Sequence, residues 1–443
     1  MHWFRIFLLM LLAFIPIGGS SCTIVAISGR VTNDGRPLLL KNRDSSSPDI
    51  KIKVGAGGKY TYLCQCNVPD GQALSGFNEK GFAIISSHSY NMPNTDYNWN
   101  AYIMQLALGG CATVMDFRHL LDSLPKPISV TANYGVMDCQ GTVAIFETNS
   151  YSYAVYYADS ADCGYLVRSN YSISQDTNRL SITSPSSYYR NKIASSYLDD
   201  ALLARGCLSK DNLIGLARCL VNSEGINLCN MAPFDEYTAT PVDFRYYIPR
   251  YISTSAMIIQ GVTPEESPKM TVAWTMVGPP LSTVTIPFLI TDKKALPQKA
   301  KLGPDGHSWL SDKGLQLKNS MFVDNTTVDL AKMYNLSCTG IMQKICAIEE
   351  EILCLGNELV DEMRIGVASD DNVEAYYSWV DYYLDEQYRL YFLDGSSTNS
   401  IIEVDVNMND TQEEYYDLLG RQVRNVRAHS VIVKKGEKAV VLN

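Results

Sequence analysis

Cys22 constrains this chain more than any other residue, because a leader-like segment ends there and a β-branched, strand-forming run, Cys22-Thr23-Ile24-Val25-Ala26, begins. Residues 1–5 carry one positive charge, residues 6–17 are unbroken and apolar, and Gly18-Gly19-Ser20-Ser21 supplies the small residues a signal peptidase accepts. The apolar stretch is shorter than the roughly 20 residues a bilayer crossing needs, and no later segment is long and apolar enough to span a membrane. We therefore expect residues 1–21 to be a signal peptide cleaved after Ser21. The mature protein is expected to be exported, to the periplasm, the extracellular space or a lumen, and to begin with a residue carrying both a free thiol and a free amine.

The same cysteine admits a second reading. Bacterial lipoproteins also begin their mature chains at a Cys, whose thiol is acylated to anchor the protein. The residue three positions before that Cys is usually a large aliphatic, and here it is Gly19. Lipoproteins also tend to continue into a polar tether, whereas residues 23–27 are β-branched and apolar and belong in a sheet. The sequence favours an unmodified Cys22, with a lipid-anchored binding protein as the alternative.

The next residues bring a carboxylate back towards Cys22. A strand over residues 22–28, a turn signal at Asn33-Asp34-Gly35 and a returning strand at Pro37-Leu38-Leu39-Leu40-Lys41 predict a hairpin. Folding about residues 33–35 pairs positions that sum to 67–69, which sets Cys22 opposite residues 45–47 and close to Asp44. A thiol is a strong nucleophile once deprotonated, and an α-amino group, with an ordinary pKa of about 7.7–8.0, can serve as its base. One residue then supplies nucleophile and base, so no catalytic histidine is required. His2 lies in the leader, while His119, His307 and His429 read as surface residues.

Four stretches in order carry a resemblance. Cys22-Thr23, Asn42-Arg43-Asp44, Ser75-Gly76-Phe77-Asn78-Glu79-Lys80-Gly81-Phe82 and Leu166-Val167-Arg168-Ser169-Asn170 together resemble the N-terminal-nucleophile (Ntn) linear amide hydrolases, over roughly residues 22–290. This group includes choloylglycine (conjugated bile acid) hydrolases, penicillin V acylases and relatives of acyl-coenzyme A:6-aminopenicillanate acyltransferase. The resemblance implies an α+β, four-layer αββα sandwich. It implies Cys22 as nucleophile, Asp44 as the residue that holds and tunes the new amine, Asn42 as support, and Asn170 as an oxyanion donor, a polar strand cap being the plainer reading of Asn170. It implies no cofactor, and as substrate a small-molecule N-acyl amide. The acyl-enzyme would be resolved by water in a hydrolase or by an amine in an acyltransferase.

Three departures from the pattern mark other candidates for oxyanion or substrate contacts. Lys41 stands where bile acid hydrolases carry an arginine, leaving a cation without a bidentate fork. The second oxyanion asparagine is expected in Ser86-Ser87-His88-Ser89-Tyr90-Asn91, where His88 and Asn91 both fall near the spacing. A downstream Ser-Arg element aligns near Ser253-Thr254-Ser255-Ala256, with Arg250 the nearest arginine. These departures point away from bile acids more than from amide cleavage.

Beyond these motifs, residues 134–137, 142–147 and 151–157 read as a meander, residues 101–108, 113–124 and 188–204 as helices, and residues 271–290 as two further strands. We divide the mature chain into an Ntn domain over 22–295 and a part-helical extension over 296–443 that packs on it. Within the extension, residues 299–318 read as a linker. Residues 340–364 form an amphipathic helix whose apolar stripe packs on the main domain or on a partner subunit of a homo-oligomer. The Tyr-rich run 376–391 reads as a half-exposed helix face. A net charge of −10 argues against nucleic acid and anionic membranes as partners. Of the twelve cysteines, Cys338, Cys346 and Cys354 read as buried thiols. No Cys or His cluster has zinc-ligand spacing, so no metal is implied.

Overall fold

A computed structural model describes residues 21–393, except 57, 69–70 and 94–98, together with short strand segments at Tyr415–Tyr416, Val431–Lys434 and Ala439–Val441. The expected leader, His2, His429 and much of the end of the chain lie outside the described residues. The first strand, β1 (Ser21–Ile27), pairs antiparallel with β2 (Leu38–Asp44). A seven-stranded antiparallel meander follows in sequence order: β3 (Ile50–Gly55), β4 (Tyr62–Asn67), β5 (Ala73–Asn78), β6 (Ala83–His88), β7 (Ala132–Met137), β8 (Val143–Thr148) and β9 (Tyr153–Tyr157). The chain then returns to the first sheet through β10 (Tyr165–Arg168). A short ribbon strand β11 (Pro241–Asp243) precedes β12 (Ser253–Gln260), β13 (Val272–Met276) and β14 (Thr285–Phe288), which complete the six-stranded order β10-β1-β2-β12-β13-β14.

Strand alternation sorts the apolar side chains into three cores. Ile24, Ala26 and Leu39 of the six-stranded sheet meet Ile52, Leu63, Phe77 and Ile85 of the seven-stranded sheet between the two layers. Val25, Ile27, Leu38 and Leu40 point the other way, onto the helices α4 (Pro185–Arg205) and α5 (Lys210–Ala217). The outer face of the seven-stranded sheet is covered by α1 (Asn100–Gly110) and α2 (Val114–Ser123), the latter started by a Thr113–Asp116 capping box and ended before Pro125. One short helix, α3 (Leu180–Thr183), precedes α4. The result is an α+β, four-layer αββα sandwich. Each fully buried aliphatic side chain in it contributes about 1.5–3 kcal/mol relative to exposure.

Ser75–Phe82 turns out to build this frame. Gly76 sits where an added Cβ would lie 2.3 Å from Leu63 O on the paired strand. Gly81 turns the hairpin at φ +76°. Asn78 accepts from the backbone of Lys80 and Phe82 and donates to Leu108 O and Cys111 O, both at 2.8 Å, fixing α1 to the sheet.

Residues after 295 correct several expectations. The expected linker at 299–318 contains most of a helix, α6 (Trp309–Met321), which buries Leu310, Gly314 and Met321; its first turns bring Leu310 into the core between the sheets. A strand β15 (Thr327–Asp329) pairs with β11 and leads into the short α7 (Leu330–Met333). α8 (Ile341–Arg364) packs Ile345, Ile348, Ile352 and Leu359 against the same central core. α9 (Asp370–Tyr388) buries Tyr376, Tyr377 and Trp379, so this tyrosine run supplies core on one face of its helix. A buried ion pair locks α8 to the main sheet. Arg218 donates to both oxygens of Glu349 at 2.6 Å and to Pro280 O and Thr283 O, while Glu349 also accepts from the backbone of Thr285.

All twelve cysteines are free thiols. Contrary to expectation, Cys338 and Cys354 are exposed and Cys346 is only partly buried. The apolar stripe of α8 runs through Ile345, Ile348 and Ile352 and leaves Cys346 and Cys354 off its centre. His307 is not isolated: its Nδ1 lies 3.6 Å from Asp49 and 3.7 Å from Asp312. No helix among the described residues is long and apolar enough to cross a membrane.

Candidate active site

The site lies where β1 begins. The register pairs Cys22 with Arg43 and Ser21 with Asp44, two to four residues short of the expected Cys22 pairing with 45–47. The difference comes from the connection: a 3-10 turn at Gly29–Val31 precedes the Asn33–Gly35 turn and takes up residues that a tight hairpin would pair. Directly opposed residues of an antiparallel pair point to the same face. Cys22, Lys41 and Arg43 therefore share the inter-sheet face, while Ser21, Thr23, Asn42 and Asp44 share the α4 face.

On the α4 face a buried polar cluster surrounds Ser21 and the backbone nitrogen of Cys22. Asp44, fully buried, accepts from Ser253 Oγ at 2.5 Å and from Arg250 Nε at 3.1 Å and Nη2. Arg250 in turn donates to Ser186 Oγ at 2.6 Å. Asn42 donates to Ile248 O at 3.2 Å and, at 3.4 Å, to Asp44. Arg190 of α4, also fully buried, donates to Thr23 Oγ1 at 2.8 Å, Ser21 Oγ at 2.7 Å and Asn170 Oδ1 at 2.7 Å, and lies 4.0 Å from Asp44. Burial and the neighbouring Arg250 charge bring the Arg190 guanidinium down to about 10. Asn170, just past β10, joins this cluster to the other face. Its Oδ1 accepts from the Cys22 backbone N at 2.9 Å, and its Nδ2 donates to His88 O at 3.1 Å.

On the opposite face, Cys22 lines a cavity of about 170 Å³ with Lys41, Arg43, Ser86, His88 and Asn100. Lys41 donates to Leu74 O at 2.7 Å and Ser86 Oγ at 3.4 Å. Burial lowers its ammonium to about 8, against the opposing pull of Cys22, with the Arg43 charge adding to the lowering. Burial and the Lys41 charge lower the His88 ring to about 4, which keeps it neutral near pH 7. Arg43 is oriented by Ser47 O at 2.9 Å, Thr254 Oγ1 at 2.6 Å and Asn67 Oδ1 at 2.7 Å. A second, larger groove of about 720 Å³ opens on the Ser21 side, lined by Tyr90, Pro185, Phe244, Tyr246, Arg250 and Tyr251.

Seven of the eight residues singled out from sequence thus converge on the amino-terminal end of β1. Cys22, Lys41 and His88 line the inter-sheet cavity, Asn42, Asp44 and Arg250 lie on the α4 face, and Asn170 bridges the two. Asn91 stands apart. Both ends of its amide brace a loop, accepting from Ser172 N at 2.8 Å and donating to Ser172 O at 2.9 Å and Asp176 O at 3.3 Å. Sequence reasoning missed Arg190, Arg43 and Ser253. The signal for Arg190 was present: it sits at helical spacing among Ser187, Ile193, Ala194 and Leu198, a lone arginine on a buried stripe. Arg43 was the unassigned middle of Asn42-Arg43-Asp44, and strand alternation alone puts it on the Cys22 face.

No family model matches the chain, and no curated protein sequence matches it. Among solved structures it is similar to a mutant conjugated bile acid hydrolase from Clostridium perfringens, with TM-score 0.35 and 15% identity over 62% of this chain and 93% of that one. It is similar also to penicillin V acylase from Agrobacterium tumefaciens, with TM-score 0.36 and 16% identity over 61% and 87%. A third is the Caenorhabditis elegans ortholog of N-acylethanolamine-hydrolyzing acid amidase, with TM-score 0.34 and 14% identity over 44% and 83%.

Proposed function

We propose that this chain is an exported cysteine amidohydrolase of the Ntn type, cleaving a linear, non-peptide C–N amide through an acyl-enzyme on Cys22. The observation that carries this reading is the division of Cys22 between two environments. Its side chain faces a cavity, while its backbone nitrogen is held by Asn170 Oδ1 within the Asp44–Arg190–Arg250 cluster. Cys22 is also 2% exposed and built into β1, which suits a nucleophile on a rigid element and not a lipid anchor on a tether.

Removal of residues 1–21 would turn that nitrogen into an α-amine. The amine takes the thiol proton as sulfur attacks the substrate carbonyl, forming the S–C bond. It then gives the proton to the leaving nitrogen as the C–N bond breaks. Water attacks the thioester and gives a proton to the amine, which returns it to sulfur as the S–C bond breaks and the acid departs. Asp44 and Asn170 Oδ1 orient the amine. Asn170 Nδ2 stabilises negative charge developing on the carbonyl oxygen, a role whose loss costs about 10² to 10³ in rate for a single donor. The His88 ring, lowered to about 4 by burial and the Lys41 charge, is too weak a base to serve in these steps near pH 7.

Three measurements test the reading. The intact mass of the mature protein should match residues 22–443, and a diacylglyceryl adduct on Cys22 would overturn it in favour of an anchored protein. Iodoacetamide should label Cys22 ahead of the other cysteines and abolish amide hydrolysis. A protein retaining one extra residue before Cys22 should be inactive on a panel of N-acyl amides, since an amide nitrogen cannot take the proton; equal activity with and without the extension sinks the mechanism. Adding a primary amine as acceptor separates hydrolase from acyltransferase by the product formed.

A further inference from the structure

The two sides of Cys22 differ in size and chemistry, and on the amidohydrolase reading they receive different halves of the substrate. The acyl carbon bonds to Sγ, which faces the inter-sheet cavity. The leaving nitrogen must collect its proton from the α-amine, which lies towards the position Ser21 occupies beside the larger groove. The acyl half therefore goes into the cavity and the amine half into the groove.

The cavity is small and polar. Its volume of about 170 Å³ has room for on the order of ten water-sized groups. It carries two cationic side chains, Lys41 and Arg43, with hydroxyl or amide groups from Ser45, Ser47, Asn67 and Gln72 at its wall, and among the described residues no carboxylate lines it. The hydrogen bonds from Arg43 to Ser47 O, Thr254 Oγ1 and Asn67 Oδ1 hold its guanidinium in one place. Burial, with the Lys41 charge adding to it, lowers the His88 ring, so no third cation forms beside these two near pH 7. An apolar acyl chain would take water from these two cations and offer their charge nothing in return. A carboxylate would meet them with charge-assisted hydrogen bonds. The groove, with Phe244, Tyr246, Tyr251 and Pro185 along it, is suited to an aromatic or apolar group.

We infer that the enzyme acts on monoamides of short dicarboxylic acids: the acyl half ends in a carboxylate recognised by Arg43 and Lys41, and the amine half is aromatic or apolar. Arg43 is then the residue that sets acyl specificity. It lies on the nucleophile's face of β2 and reaches the substrate away from the bond that breaks.

The test compares N-glutaryl-4-nitroanilide with its neutral counterpart N-pentanoyl-4-nitroanilide, which share an acyl chain length and a chromogenic aromatic amine. The wild-type protein should cleave the glutaryl compound with kcat/KM about 10- to 100-fold higher, the range expected from charge-assisted hydrogen bonds. Arg43→Met should remove most of that preference, and Arg43→Lys should retain part of it. Equal or faster cleavage of the pentanoyl compound by the wild type overturns the inference and leaves the amidohydrolase reading standing. An unchanged ratio in a folded Arg43→Met protein also overturns the assignment of Arg43. Cleavage of neither compound overturns the inference, and selective iodoacetamide labelling of Cys22 then reports separately on the amidohydrolase reading.

Discussion

Arg190 should set the pH at which the enzyme switches on, and Arg190→Met tests this directly. The Arg190 guanidinium and the Cys22 backbone nitrogen lie 2.7 and 2.9 Å from the same Asn170 Oδ1, so they are no more than about 5.6 Å apart. On the proposed reading, cleavage before Cys22 makes that nitrogen an amine, and a fixed cation so close disfavours its protonated form. At an effective dielectric constant of about 20 the repulsion is roughly 3 kcal/mol, equivalent to about two pKa units, and salt in the assay reduces it towards one. On the proposed mechanism the neutral amine is the base, so activity should rise as pH passes its pKa. Removing the cation raises that pKa, and the acid limb of kcat/KM against pH should move up by about one to two units. Arg190→Lys keeps the charge while losing the fork that spans Thr23, Ser21 and Asn170, so its limb should stay near the wild-type position even as its rate falls. The readout is kcat/KM for the better anilide substrate between pH 4 and 9. An acid limb that stays in place, or moves down, in Arg190→Met refutes the electrostatic role and leaves Arg190 as packing.

Asp44→Asn should fold normally yet lose about 10² to 10⁴ in turnover, the usual range for a misplaced general base; near-native turnover would exclude Asp44 from orienting the amine. The Lys41 ammonium, lowered to about 8, is charged below that pH and neutral above it, so the preference for a glutaryl over a pentanoyl acyl group should decline as pH rises through about 8. A ratio constant from pH 6 to 9.5 would show that Lys41 does not contribute. Glu349→Ala leaves Arg218 charged and buried without its partner and should lower the unfolding free energy by about 3–5 kcal/mol in denaturant titration. A loss under about 1 kcal/mol would mean that α8 is held by its apolar stripe alone.

How much of this could be read from residues follows their periodicity. The meander of β7 to β9 was legible because Asp138-Cys139-Gln140-Gly141 and Asn149-Ser150 punctuate β-branched runs. α8 was legible because Ile345, Ile348 and Ile352 repeat at helical steps. α6 was not, because Lys313, Lys318 and the Gly/Pro residues ahead of it mimic a loop, and its burial comes from tertiary contacts to the central core. The site followed the same division. Asp44 was placed within two residues by turn arithmetic, but its partners Arg190, Arg250 and Ser253 are 146, 206 and 209 positions away in the chain and meet it only through the layer packing.

The register of β1 on β2 has a chemical consequence. Opposed residues share a face and neighbours alternate, so of the partners expected for Cys22 only residue 46 would have set Asp44 on the face of the thiol. With Ser21 opposite Asp44, the carboxylate lies on the opposite face from Sγ, where β1 turns its backbone towards α4. Among the described residues the thiol is then left with Lys41, Arg43 and neutral groups, an environment that repels no anionic substrate. The carboxylate is spent on the two arginines that surround the amine. Had Asp44 shared the cavity with Cys22, its charge would have opposed a carboxylate-bearing acyl group. The alternation of a single strand thus separates the Asp44–Arg190–Arg250 cluster from the cavity of Cys22, and on the proposed mechanism it lets Lys41 and Arg43 set the cavity's charge without disturbing the base.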